Sequence, residues 1–277
     1  MDVPLALSQV WNEPYLEFLV KLAETGDDDV PRVFSTSYGE DEGSVDAAWM
    51  TRVSVEFAKA GARGVSLLFA SGDYGVQSMN GDCPNQQFTA VWPASSPWVT
   101  SVGATTDRFP EVAASFSSGG FSTKWPRPAY QNATVAGYFA RHMGTLPWTM
   151  FDPHGRAFPD VSAQGEKFVV VVDGTLDSVS GTSCSTPTYA GLISLVNELR
   201  ARADLPSLGF LNPLLYSRGA ALSNDILSGS NAGCGTGGFA ALQGWDAVTG
   251  WGSPDFPRFV KAAVTDVIAA RAAKRRA

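Results

Sequence analysis

Short apolar runs alternate with a helix-like segment along the first hundred residues of the chain. Residues 33–37, 65–70 and 98–102 are predicted to be buried strands, because each run is short, apolar and bounded by glycine or proline. Between the first two runs, Ser44 is the expected helix cap, and the apolar residues recur at steps of four (Val45, Trp49, Val53, Phe57). Strands separated by a helix predict a parallel sheet covered by helices on both faces.

The second half of the chain begins with a hairpin signal. Residues 168–172 and 175–179 flank Asp173-Gly174, a dipeptide that favours the tight turn between antiparallel strands. A helix is predicted from Thr186-Pro187 to about residue 200, since proline is tolerated in a first turn. The remainder is loop-rich, with a final helix after Pro257. No linker interrupts the pattern, so we expect one α/β domain over residues 1–277.

Composition narrows the class of protein. The chain is 44% hydrophobic and 17% charged, which allows a large core and excludes a disordered protein. Its net charge of −7 is the wrong sign for a nucleic-acid partner. No apolar run reaches the roughly 18 residues of a membrane span, and the start, Met1-Asp2-Val3-Pro4, lacks the pattern of a signal peptide. We therefore expect a monomer that binds neither nucleic acid nor membrane, with a solvated basic end.

The three cysteines and two histidines fit no zinc spacing, so a zinc site is not expected. At most one disulfide can form among Cys83, Cys184 and Cys234. The acidic triplets at residues 27–29 and 40–42 are predicted to be solvated loops.

Ser183 stands in the segment of greatest chemical interest, Ser180-Gly181-Thr182-Ser183-Cys184-Ser185. A serine after a glycine hinge and just before a helix exposes a hydroxyl beside helix amides, which suits a nucleophile whose substrate becomes negatively charged. A plain helix cap explains the same residues. Ser185 occupies the place where the nucleophile elbow of lipases has its last glycine, so that motif is absent.

Asp73 and a later pair of aspartates are the other candidates. Asp73 follows a predicted strand, where ligand chemistry gathers in parallel sheets, although a turn aspartate would look alike. Asp225 and Asp246 lie near backbone carbonyls in tight loops, a set of hard oxygen ligands of the kind that calcium prefers.

Taken together and in this order, these segments make the chain resemble the sedolisin family of serine-carboxyl peptidases. The matching motifs are spread over nearly the whole chain, at residues 33–42, 67–73, 92–97, 118–122, 157–161, 180–187 and 244–252. The resemblance implies a subtilisin-like parallel sheet flanked by helices on both faces. It also implies a peptidase that acts on peptide or protein substrates, of the kind that removes tripeptides from free N-termini.

The resemblance also implies roles for individual residues. Ser183 is similar to the family's nucleophile, and Asp73 to its oxyanion-hole aspartate. Three residues, Ser118, Gly119 and Gly120, resemble a strand that flanks the bound peptide. One Ca²⁺ would be held by the carboxylates of Asp225 and Asp246 with carbonyls of Ile226, Leu242 and Gly244, although Leu242 stands where the family has glycine. A Cys83–Cys234 disulfide and a lysosomal, vacuolar or extracellular location are also implied, because a disulfide indicates an oxidising compartment.

The family mechanism needs a base that this sequence does not display. In the family, a glutamate takes the proton of the serine and an aspartate holds that glutamate, four residues away on one helix ahead of the part aligned with residues 11–18. Glu13 and Glu17 share a helix face here, but they fall downstream of that pair. We therefore expect a domain that lacks its N-terminal part, with the dyad and propeptide absent and little activity as written.

The remaining candidate residues are weaker evidence of function. His142 and His154 are expected to be exposed loop residues, and Cys184 is expected to be buried as a packing residue. Asn132-Ala133-Thr134 is a glycosylation sequon.

A protonated aspartate can donate to an oxyanion, and free aspartate has a pKa of about 3.9, so the resemblance predicts an acid optimum. The alternatives to a serine-type acid peptidase are an inactive calcium-binding fragment or pseudoenzyme, and an esterase that uses Ser183.

Overall fold

The computed structural model describes residues 13–107 and 109–276. Residues 1–12, which bear on the expectations about the start of the chain, lie outside the described part. The helices are α1 Tyr15–Glu24, α2 Ala47–Ala62, α3 Asn132–His142, α4 Thr182–Arg202, α5 Asn212–Leu222, α6 Phe256–Val260 and α7 Asp266–Arg276. The strands are β1 Val33–Thr36, β2 Glu40–Asp41, β3 Ser66–Ala70, β4 Val91–Trp92, β5 Thr100–Thr106, β6 Val112–Ala113, β7 Gly120–Pro126, β8 Gly155–Phe158, β9 Val161–Gln164, β10 Phe168–Val172, β11 Thr175–Val179, β12 Ser223–Asn224 and β13 Ser253–Pro254.

A parallel sheet in the order β1-β3-β5-β9 forms the centre of the fold, and β6 pairs antiparallel with the end of β5. The register aligns Phe34 with Leu67, and Phe69 with Ser101. Because the strands are parallel, their carboxyl ends lie at one edge, where residues that follow β1 and β3 come together.

Helices cover both faces of this sheet, as the sequence pattern predicted. Successive residues of β3 point to opposite faces, so Leu68 packs into the core beneath α4 while Leu67 and Phe69 pack into the core beneath α1 and α2. All five residues of β3 are buried, which explains why the strand reads as one continuous apolar run. The structure has the subtilisin-like parallel sheet flanked by helices that the resemblance implied.

Two helix starts differ from the sequence prediction. Asp46, rather than Ser44, caps α2: its Oδ1 accepts the Trp49 amide at 2.8 Å, while the Ser44 hydroxyl donates to the Asp41 carbonyl. Helix α4 begins at Thr182 instead of at Thr186, and Pro187 lies inside it. The predicted hairpin is confirmed, with β10 and β11 paired on either side of Asp173-Gly174.

A buried ion pair links the strands on the amino-terminal side of the sheet. Arg156 and Asp160 have fully buried side chains, and Nη2 of the arginine lies 2.6 Å from Oδ2 of the aspartate. The Asp160 carboxylate also accepts the amide of Ser101 in β5 and the hydroxyl of Tyr216 in α5. One carboxylate therefore ties β5, β9 and α5 together. None of the described helices is both long and apolar enough to span a bilayer.

Candidate active site

A small cleft opens at the carboxyl edge of the sheet. Its volume is about 200 Å³, and its walls come from the segments after β1 and β3, from β4 and from the start of α4. The lining residues are Ser37, Tyr38, Gly39, Ala70, Gly72, Asp73, Tyr74, Met79, Val91, Thr182 and Ser183. Ser183 and Asp73, which are 110 residues apart in the chain, thus face one space.

Ser183 is the second residue of α4, and its side chain is exposed to the cleft. Pro187, four residues later, has no backbone N–H, so the Ser183 carbonyl lacks the helical bond that residue would otherwise donate. The Ser37 hydroxyl donates to this carbonyl instead, at 3.3 Å. Because Pro187 lies inside the helix, the Ser183 carbonyl is left without a helical partner. The hydrogen bond from Ser37 therefore joins the cleft wall to the backbone of Ser183.

Asp73 is held by the residue next to Ser183. Oδ1 of Asp73 accepts the Thr182 amide at 2.7 Å and the Thr182 hydroxyl at 2.8 Å, and that hydroxyl accepts the Gly72 amide at 3.2 Å. Gly181 lies against the other carboxylate oxygen: a Cβ there would come 2.9 Å from Oδ2 of Asp73, and its φ is +154°. A side chain at position 181 would push the carboxylate away, so glycine is required here.

Ser118, Gly119 and Gly120 do not line the cleft; they are buried behind it. The Ser118 hydroxyl accepts the Tyr74 amide at 3.0 Å and its amide donates to the Gly72 carbonyl at 2.9 Å. A Cβ at Gly119 would come 2.1 Å from the Ala247 carbonyl oxygen. This segment supports the loop that carries Asp73, and Ser37, Tyr38 and Gly39, which the sequence analysis did not single out, form the exposed wall.

No histidine lines the cleft among the described residues, and Asp73 is the only carboxylate that does. Glu13 hydrogen-bonds the Tyr38 hydroxyl, and this bond with the charge of Glu13 raises the pKa of Tyr38. Glu17 lies in the first turn of α1. Glu13 precedes α1, so the two glutamates do not share the helix face that the sequence suggested, and neither of them lines the cleft.

One of the two histidines, His142, is not the exposed loop residue that was expected. His142 ends α3 and packs on the Tyr138 ring, with ring centroids 5.2 Å apart, and burial with the Arg141 charge lowers its pKa. His154 is exposed in a turn, as expected.

Backbone amides of the loop of residues 242–246 bind each of the two predicted calcium carboxylates. Oδ2 of Asp225 accepts the Gly244 amide at 2.8 Å, and Oδ2 of Asp246 accepts the Leu242 amide at 2.9 Å. Asp246 is fully buried, and burial raises its pKa to about 7. In the described part of the chain no three His, Cys, Asp or Glu side chains gather in a metal-binding group, so a cation here would rely on two carboxylates and backbone carbonyls.

Cys83 and Cys234 form a disulfide, the pairing that the resemblance implied, with Cα atoms 5.7 Å apart. Cys184 is a free, half-buried thiol, and burial and the charge of Asp73 raise its pKa. Asn132 of the sequon is exposed at the first position of α3.

Of the acidic residues at 40–42, Glu42 is buried, contrary to expectation, and Glu40 and Asp41 are half-buried. Glu42 is 1% exposed, and its carboxylate accepts hydrogen bonds from Ser95, Ser122 and Thr123. Asp41 accepts the Met79 amide. No local sequence pattern predicts these bonds, because their donors are 38 or more residues away.

Comparisons with known proteins identify the family of this chain. A profile of the subtilase family matches residues 10–206. A probable tripeptidyl-peptidase SED4 of Trichophyton verrucosum (strain HKI 0517) is 43% identical over 90% of this chain, and tripeptidyl-peptidase SED2 of Arthroderma otae (strain ATCC MYA-4605 / CBS 113480) is 42% identical over 90%. The chain spans 45% of the length of each of these relatives.

Two solved structures are similar in fold. Pseudomonas sedolisin, a serine-carboxyl proteinase complexed with two molecules of pseudo-iodotyrostatin, aligns with a TM-score of 0.69 and 25% identity, covering 92% of this chain and 68% of its own. The prenylagaramide maturation protease PagA aligns with a TM-score of 0.55 and 16% identity, covering 91% and 68%. The second likeness concerns the fold alone.

Proposed function

The chain belongs to the sedolisin peptidases of the subtilase family, and from this premise we propose that it carries the nucleophile and the oxyanion donor of a serine-type acid peptidase. Ser183 is the proposed nucleophile and Asp73 the proposed donor. The observation that carries the proposal is the pair of hydrogen bonds from Thr182 to Oδ1 of Asp73, beside the exposed Ser183 in one cleft.

In the proposed reaction, Oγ of Ser183 attacks the carbonyl carbon of a peptide bond, and the carbonyl electrons move to its oxygen. Asp73 in its protonated form donates from Oδ2 to that oxygen, because Oδ1 is already an acceptor for both Thr182 donors. Amides at the start of α4 add favourable electrostatics. Aspartate is ordinarily protonated only near a pH of about 4, so the proposed donor works in acid.

The proton of Ser183 needs a carboxylate base. The described cleft contains no second carboxylate, and in the sedolisin family this base is a glutamate held by an aspartate. A serine nucleophile without its base loses several orders of magnitude in rate even with an intact oxyanion hole. The second candidate function is therefore that of an inactive calcium-binding fragment or pseudoenzyme, for which the single carboxylate of the described cleft is the supporting observation.

We further propose tripeptide release from free N-termini as the substrate class, since the two curated relatives compared above are named tripeptidyl-peptidases. The disulfide supports an oxidising location, either extracellular or vacuolar.

A Ca²⁺ ion is proposed at the loop of residues 242–246, as a structural ion. The donor set fits in kind, because carboxylates and loop carbonyls are hard oxygen ligands of the sort that calcium prefers. The Asp246 carboxylate is fully buried and already accepts the amides of Leu242, Val248 and Thr249. Asp225, Asp246 and the carbonyls of Ile226, Leu242 and Gly244 would hold it. Bound there, the ion would neutralise the two carboxylates and fix the loop.

Labelling with a fluorophosphonate probe tests the proposed nucleophile. We expect labelling at acid pH that disappears in Ser183→Ala and persists in Ser185→Ala, a matched serine two residues away whose buried hydroxyl donates to the Ala163 carbonyl. Equal labelling of the Ser183→Ala variant would contradict the assignment. Hydrolysis that peaks at neutral pH, with Asp73→Asn fully active, would contradict the acid mechanism.

A further inference from the structure

Three of the large apolar or aromatic side chains that stay exposed share the cleft beside Ser183. Tyr38 is 55% exposed, and Tyr74 and Met79 are each 40% exposed. Exposed apolar groups clustered in one concave place indicate a binding surface. Asp73 is the only charged side chain lining the described cleft, so the rest of its lining is uncharged.

The cleft has room for part of a ligand. Its volume of about 200 Å³ is below the roughly 300–1,000 Å³ of pockets that enclose whole small molecules. One substrate side chain, rather than a whole peptide, therefore fits between Met79, Val91 and the tyrosines.

Met79 lies in a turn, residues 78–82, with internal hydrogen bonds such as Ser78 amide to Asp82 carbonyl at 3.0 Å and Gly81 amide to Ser78 carbonyl at 2.9 Å. The neighbouring Gln77 side chain donates to the Gly81 carbonyl at 2.6 Å. The Met79 amide reaches a distant segment instead: it donates to both carboxylate oxygens of Asp41, at 3.1 and 3.2 Å. Asp41 is thus the tether between this turn and the opposite wall.

Asp41 is itself well fixed. It lies in β2, where it pairs with Val91 of β4, another residue of the cleft wall. The next residue, Glu42, is buried and its carboxylate is fully engaged with Ser95, Ser122 and Thr123. A fixed carboxylate that binds the backbone of Met79 sets the distance between Met79 and Val91.

We propose that Asp41 is a positioning residue that holds Met79 as one wall of the pocket next to Ser183, so that the pocket selects an apolar side chain of the peptide. The inference deepens the proposed peptidase function and rests on it for the identity of the ligand. Because Asp41 acts through Met79, removing both residues has the same effect on selectivity as removing either.

Peptide binding to the Ser183→Ala protein, measured by calorimetry, tests this without requiring turnover. The probes are tripeptides that end in leucine, alanine, lysine or glutamate. We expect the leucine peptide to bind at least tenfold more tightly than the others. Asp41→Ala and Met79→Ala, each added to Ser183→Ala, reduce that preference to about twofold, and the two together reduce it no further.

Two controls separate positioning from general stability. Asp41→Asn keeps an oxygen that accepts the Met79 amide, so it retains the preference. Asp46→Ala removes the same kind of bond, a carboxylate that accepts a backbone amide, five residues away at the cap of α2; it lowers the melting temperature and leaves the preference unchanged.

The inference is overturned if no tripeptide binds, if Asp41→Ala keeps the leucine preference, or if the Asp41 and Met79 effects add. These outcomes are distinct from failure of the proposed function, which is a loss of fluorophosphonate labelling at Ser183 in a protein that still binds the leucine peptide selectively.

Discussion

Asp73 and Thr182 are 109 positions apart in the chain, and they meet through two hydrogen bonds to one carboxylate oxygen, at 2.7 and 2.8 Å. The pair joins the end of β3 to the start of α4. Because Ser183 directly follows Thr182, the orientation of the carboxylate and the position of the serine hydroxyl are set by the same two residues.

Thr182→Val should lower kcat/KM about five- to tenfold in a form of the protein that turns substrate over. The substitution keeps the amide and the shape but removes the hydroxyl bond, which is worth about 1 kcal/mol. The fall should lie in kcat, because the bond orients a group that acts on the transition state. Thr182→Ser, which keeps a hydroxyl, should stay near the parent; an equal loss in both variants would show that packing of the methyl group is responsible.

Asp160→Asn should destabilise the protein by about 3–5 kcal/mol, since it leaves the fully buried Arg156 guanidinium without its counter-charge. The matched control is Glu198→Gln, which breaks the exposed Arg202–Glu198 pair of the same i, i+4 spacing. That change should cost under about 0.5 kcal/mol. Urea unfolding measures both, and similar losses in the two variants would refute the difference in burial as the cause.

Replacing Cys83 and Cys234 together by serine should lower the free energy of unfolding by roughly 4–5 kcal/mol. The bridge closes a loop of 151 residues, and the loss follows from the larger conformational entropy of the unbridged unfolded chain. Cys184→Ser should have little effect. Thiol titration of the denatured protein checks the pairing: one thiol is expected without reductant and three with it.

Calcium at about a hundred times its dissociation constant should raise the stability of the folded protein by about 2.7 kcal/mol. Asp225→Asn should abolish this gain, because it removes one of the two carboxylates at the 242–246 loop. Asp177→Asn, in the exposed hairpin strand β11, should not. Thermal unfolding with calcium and with a chelator measures the shift, and a chelator that leaves every melting temperature unchanged would remove the proposed ion.

The periodicity of the sequence predicted three strands of the central sheet (β1, β3 and β5) and the hairpin, because their signals are local, whereas β9 and β6 were not predicted. The start of α4 was missed since proline at a sixth helical position is normally costly, and the Ser37 hydroxyl that binds the freed carbonyl comes from 146 residues away. Ser44 and Asp46 are both good caps, and only the contact of Ser44 with Asp41 decides between them.

Part of the candidate site could also be predicted from local sequence, and part of it could not. Asp73 could be placed in advance from its position after a buried strand, and the same reasoning applied to β1 would have found Ser37, Tyr38 and Gly39. The bond between Asp41 and Met79 spans 38 positions, and no pattern in the sequence encodes it. The triplet at residues 40–42 therefore looked like solvated surface.

The Cys83–Cys234 bridge also determines what a single proteolytic cut would do to the molecule. Ser183 lies inside the covalent ring that the bridge closes and Asp73 lies outside it. A single backbone cut between positions 84 and 182 would separate the two residues onto different pieces, but the sulfur–sulfur link would keep those pieces in one molecule. Such a nicked protein would migrate as one chain on a denaturing gel without reductant and as two pieces with it. Resistance to proteolysis should therefore be measured both with and without reductant.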